Sequence, residues 1–188
     1  MLKSLLSFMF VSLLFVPVPR AHANDLHLGQ VAPRATLVTL DGRHLSTDSL
    51  RGHTLILTFW ASWCEPCQQE LPLLSRYAAA HRDQGLMVLG FSLDDGEELD
   101  KVNAIAKTLQ FPVGLLTQST VHGYGRMWRI PVSFVIDRDG ILRYDGWKAE
   151  QPAWTDASLN AVVGPLLPPA HSAVLEQTSS PHLQQTTR

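Results

Sequence analysis

Two stretches of the chain are apolar or β-prone at almost every position, Thr54–Trp60 and Leu86–Ser92. Runs of seven such residues without alternation predict strands buried on both faces. The residues between them change period. Cys67, Leu71, Leu74 and Ala78 recur at spacings of four, three and four, which predicts a helix over about 64–81. Pro66 is tolerable in its first turn, whereas Pro72 lies inside and is expected to kink it. Downstream, Asp95 followed by Glu98 reads as a helix start, with Leu99, Val102, Ala106 and Leu109 on its face. A short strand over 112–116 and a short helix or loop over 120–127 follow. Val132–Ile136 is a further apolar strand. The turn Asp137-Arg138-Asp139-Gly140 leads into a return strand over 141–146, and a last helix spans about 155–163. Ahead of all this, 36–40 and 44–46 flank Asp41-Gly42, a hairpin dipeptide. The order is hairpin, strand, helix, strand, helix, strand, strand, helix. It predicts an α/β protein with a mixed central sheet and helices on both faces.

The two ends depart from this pattern. Lys3, the uncharged apolar run Leu5–Val16, the breakers Pro17 and Pro19 and the small-x-small triplet Ala21-His22-Ala23 read as a secretory signal peptide cleaved after Ala23. A run of about a dozen residues falls short of the roughly 20 that span a bilayer, so cleavage is favoured over an anchor. The expected organisation is a signal peptide over 1–23, one domain over 24–168 and a disordered tail over 169–188, where Pro gives way to Ser, Thr, Gln and His. Localisation is therefore expected to be periplasmic or secreted, where thiols are oxidised unless something reduces them. With 17% charged residues and a net charge of −2, nothing favours nucleic acid as a partner.

The chain has two cysteines, Cys64 and Cys67, placed where the first central strand gives way to the first helix. Two thiols at this spacing supply only half of a tetrahedral zinc site, and no second pair exists. A purely structural disulfide over so short a ring would remove little loop entropy. A redox-active dithiol remains, with no other cofactor. At the helix N-terminus, free N–H groups and the helix dipole favour a Cys64 thiolate. Cys64 is then the exposed nucleophile and Cys67 the buried resolving thiol. Glu65 stands between them. A negative group beside Cys64 disfavours its thiolate and leans the pair toward reducing power.

The segment Phe59-Trp60-Ala61-Ser62-Trp63-Cys64-Glu65-Pro66-Cys67, with Glu70-Leu71-Pro72, Ile130-Pro131 and Asp137-Arg138-Asp139-Gly140, resembles the TlpA/ResA-like branch of extracytoplasmic thiol–disulfide oxidoreductases. The resemblance covers roughly 29–163. It implies a thioredoxin-like three-layer sandwich with an N-terminal β-hairpin extension and a central insertion. It also implies a cis Ile130–Pro131 bond facing the disulfide, with the Ile130 backbone free to pair with an extended substrate. By the same resemblance Glu70 exchanges protons with the thiols. Its alternative is an ordinary surface Glu in an early helical turn. Thioredoxin itself carries a buried Asp where Thr58 stands here, which leaves Glu70 the better acceptor. Trp63 is a candidate to cap the disulfide, and Trp128 with Arg129 to form a rim for the partner, against simple loop packing.

The partners implied are disulfide-bearing client proteins, such as apocytochrome c with its haem-binding cysteines, and a membrane thiol reductase that recharges the protein. A monomer is expected. Three alternatives stand beside this. The first is a disulfide oxidase or isomerase. The second is a thiol peroxidase, which usually places Thr or Ser where Ala61 is. The third is a copper-binding assembly chaperone, in which His122 would join the cysteines. The other His residues show no ligand spacing.

Overall fold

The computed structural model describes residues 26–169. In chain order it contains β1 (Thr36–Val38), β2 (His44–Ser46), β3 (Thr54–Trp60), α1 (Glu65–Ala80), β4 (Leu86–Ser92), α2 (Leu99–Ala106), β5 (Val113–Leu115), β6 (Val132–Ile136), β7 (Leu142–Asp145) and α3 (Asp156–Val162). The expected leader, and all of the expected tail except Pro169, lie outside the described residues.

The two apolar runs are neighbours at the centre of a five-stranded sheet of order β5-β4-β3-β6-β7. β3 pairs in parallel with β4, and β4 with β5, while β6 and β7 run antiparallel. All seven residues of β3 are buried. Alternation along β3 separates two cores. Ile56 and Trp60 face Cys67, Leu71, Leu74, Val102, Trp154 and Leu159, so the three α-helices share one side of the sheet. Leu55, Leu57 and Phe59 face the other side with Leu37, Phe91, Tyr124 and Phe134. Burying each of these aromatic or aliphatic side chains contributes roughly 1.5–3 kcal/mol.

The second outer layer is built by the hairpin β1–β2 and the segment 116–131, whose helical content is a 3₁₀ turn at Leu116–Gln118. The hairpin lies hard against the sheet. A Cβ on Gly114 would sit 1.9 Å from the Val38 carbonyl oxygen, so β5 needs glycine there.

Several boundaries differ from the sequence expectation. α1 starts one residue later, with Cys64 as its N-cap, and runs through Pro72 without interruption. α2 begins at Leu99, because the Asp95 carboxyl accepts the Glu97 N–H in a local turn and the Glu98 side chain caps nothing. Of the two forms expected for 120–127, short helix or loop, the structure takes the loop. Thr120 exchanges backbone hydrogen bonds with Thr36 (2.7 and 2.9 Å), which commits that backbone to the hairpin. α3 is held by a capping box between Thr155 and Ser158.

Candidate active site

β3 ends at Trp60, and the chain turns through Ala61-Ser62-Trp63 into α1. Cys64 carries out the turn. Its N–H donates to the Ala61 carbonyl (3.2 Å), and its Sγ accepts the Cys67 N–H (3.2 Å). The two cysteines are joined, with an S–S distance of 2.06 Å and Cα atoms 5.2 Å apart. The expected contrast in exposure is muted. Cys64 is 6% exposed and Cys67 1%, because both side chains belong to the core under α1. The exposed neighbour is Trp63, at 66%.

A buried carboxyl group holds this turn in place. Asp94, just beyond β4, accepts the Ser62 N–H (2.8 Å) and the Ser62 hydroxyl (2.7 Å), and it accepts the Ser92 hydroxyl as well. Gln68 donates to the Ser62 carbonyl from the first turns of α1. Sequence reasoning passed over Asp94. Its signal was available: a carboxylic residue at the carboxyl end of a parallel strand, the edge where α/β sheets place their sites.

Glu70 is the other buried acid, only 4% exposed. One helical turn beyond Cys67, it lies on the same side of α1. Its Oε2 accepts the Trp154 N–H (2.8 Å) at the entry to α3. Burial pushes the carboxyl up to about 7, against the lowering effect of that hydrogen bond. Tyr144 is close enough for burial and the Glu70 charge to push its own hydroxyl up. The surface-Glu alternative therefore does not describe Glu70. Thr58 is fully buried opposite Ser133, and neither hydroxyl has a hydrogen-bond partner. No ionisable group occupies that place.

Ile130–Pro131 is cis. The β3–β6 register pairs Phe59 with Val132. Pro131 therefore stands level with Trp60, beside the turn that leads to Cys64. Ile130 is partly buried and packs against both cores. Trp128 is 69% exposed and stacks on Trp147, with ring centroids 5.4 Å apart. Arg129 fixes this pair: its guanidinium donates to the carbonyls of Gly146 (2.6 Å), Trp147 (3.0 Å) and Ala149 (3.4 Å) and lies over both indoles. Gly146 itself lies hard against β6, where a Cβ would meet the Ser133 carbonyl at 2.3 Å. The structure thus gathers Cys64, Cys67, Glu70, Ile130 and Pro131 at one end of the sheet, with Trp63 and Trp128 exposed around it.

Among the described residues no group of three His, Cys, Asp or Glu is arranged to hold a metal ion. His122 lines a surface cleft with Arg34, Thr36 and Thr120 instead. Ala61, at the place that serves a peroxidase, is buried and apolar.

Comparison with known proteins agrees with this geometry. Residues 28–145, more than half the chain, match the AhpC/TSA family. The thiol-disulfide oxidoreductase ResA of Geobacillus thermodenitrificans is 32% identical over 119 residues, 62% of this chain and 67% of that protein. The thioredoxin-like protein YneN of Bacillus subtilis is 31% identical over 118 residues, 61% of this chain and 68% of that protein. Among solved structures, a thiol:disulfide interchange protein of the thioredoxin family from Chlorobium tepidum superposes with a TM-score of 0.61 at 27% identity, covering 76% of this chain and 98% of that one. With the Cys64–Cys67 pair at the head of α1, the chain belongs to the AhpC/TSA family and, within it, to the ResA-like thiol–disulfide oxidoreductases of thioredoxin fold.

Proposed function

We propose that this enzyme reduces disulfides in client proteins outside the cytoplasm, with the haem-binding cysteines of apocytochrome c as one client class. A membrane thiol reductase supplies its electrons. The observation that carries this is the buried Glu70 one turn beyond Cys67, in a stretch that also holds Glu65 and no cation from Cys64 to Pro72. Acidic groups around the pair disfavour the thiolate, and a pair whose reduced form is not stabilised is a better reductant.

The steps follow from the positions. The Cys64 thiolate attacks one sulfur of a client disulfide, and the other client sulfur leaves as thiolate. The Glu70 carboxylate takes the Cys67 proton, and Cys67 attacks Cys64 Sγ. The client leaves with two thiols, and Cys64–Cys67 becomes the disulfide seen here. Ile130 offers its backbone to the client segment, Pro131 supports the sulfurs from the β6 side, and Trp63 and Trp128 flank the approach.

Changing Cys67 to Ala tests this directly, because clients should accumulate as mixed disulfides on Cys64. Identified partners that carry reducible disulfides support the proposal, and recovery of none overturns it. Equilibration with glutathione separates reductase from oxidase. A reductase keeps its disulfide when reduced glutathione is in excess, and an oxidase does not. The signal peptide, the domain over 24–168 and a monomeric state belong to the same proposal. An N-terminus at Asn24 in protein recovered from the cell envelope fraction, and a monomer on sedimentation, are the expected results.

A further inference from the structure

A cleft of about 440 Å³ opens beside the Ile130–Pro131 segment, lined by Leu26, Tyr124, Arg126, Trp128, Trp147 and Lys148 among others. Its wall is the stacked indole pair, which Arg129 pins to three carbonyls and the Trp147 indole N–H secures to the Tyr124 carbonyl (2.7 Å). Its charge runs opposite to that of the whole chain. Arg126 is exposed and, among the described residues, has no ion-pair partner. Lys148 is largely exposed and shares only a 3.4 Å contact with Asp145, whose other oxygen accepts the Trp147 N–H. Two cations thus stand at the mouth, and the one carboxyl in the lining is already occupied.

Trp128 is three residues before Pro131, so the cleft lies within about 10 Å of chain from the bond that faces the client. We propose that this cleft is the subsite for an acidic side chain of the client polypeptide, placed within about three residues of the client cysteine. The proposal rests on the oxidoreductase function above and names the class of sequence it selects. An Asp or Glu there meets Arg126 and Lys148, while its apolar neighbours lie along the Trp128–Trp147 wall. Because the wall is already fixed, binding orders little on the enzyme side. The cations at the rim mainly set the choice of partner and the rate of encounter.

The test uses synthetic peptides with one internal disulfide that differ only two residues from the first cysteine, where they carry Asp, Asn or Lys. The reduced full-length protein is assayed for kcat/KM on each, beside the small neutral bis(2-hydroxyethyl) disulfide. The Asp peptide should be favoured over the Lys peptide by about tenfold, a ratio that shrinks as salt is added. Within Arg126→Glu, and separately within Lys148→Glu, the ratio should fall toward one or invert. A within-variant ratio is insensitive to any general loss of activity. Equal rates on the three peptides, or a ratio untouched by both charge reversals, overturns the subsite while leaving the oxidoreductase standing. Failure to reduce even the neutral disulfide removes both.

Discussion

The disulfide has two unlike sides. On the α1 side two acids are buried and held: Asp94 fixes the turn through Ser62, and Glu70 is held by the Trp154 N–H. On the 124–131 side, Trp128 stands in solvent and Arg126 is unpaired among the described residues. Under the proposed function, the difference separates two requirements. Moving a proton between a carboxyl and a thiol needs a low-dielectric, fixed setting, which raises the carboxyl to the working range. Recognising a client needs accessible area and charge, which burial would remove.

Substitutions on the two sides should therefore fail differently. Cys64→Ser should abolish turnover on small and polypeptide disulfides alike. Surviving activity would place the nucleophile elsewhere. Glu70→Gln should slow decay of the mixed disulfide roughly 10²-fold at neutral pH. The wild type should show an inflection near pH 7 in single-turnover runs between pH 5 and 9, and Glu70→Gln should remove it.

The same residue has a stability signature. Because its carboxyl is raised from 4.5 to about 7 in the folded protein, its protonated form is the favoured one. The wild type should lose on the order of 3 kcal/mol as pH rises through that window, and Glu70→Gln should not. Urea unfolding at pH 4.5 and pH 8 reads the difference, and parallel pH profiles would remove Glu70 from the buried, titrating role.

Asp94→Ala strips acceptors from the Ser62 N–H and two hydroxyls. It should cost about 3 kcal/mol and lower turnover on every substrate, seen in the urea midpoint and in a small-disulfide assay. An effect confined to polypeptide substrates would move Asp94 to the recognition side. The smallest change is expected for Trp128→Ala: a several-fold rise in KM for peptides with kcat nearly kept. A loss in kcat instead would erase the distinction between the sides.

Much of this was legible in the sequence, for identifiable reasons. β3 and β4 are buried on both faces and announce themselves as unbroken apolar runs. The cysteine spacing, Glu70 and Ile130-Pro131 are local signals. What escaped depends on distant pairing. That 120–127 takes the loop and not the helix, a choice the sequence left open, follows from Thr120 bonding Thr36, more than eighty residues away. The late start of α2 reflects a choice between two local uses of the Asp95 side chain. Asp94 acquires its importance only when β4 lies beside β3, which brings it to Ser62. The near burial of Cys64 depends on how the core closes over α1, and no spacing encodes that.

That near burial also bears, under the proposed function, on which state of a client the disulfide can meet. Cys64 is only 6% exposed, while Trp63 next to it in the chain is 66% exposed, so little of the cysteine is open to a broad, rigid surface. Under the proposed function, an extended segment of an unfolded client fits such an approach better than the flank of a finished protein.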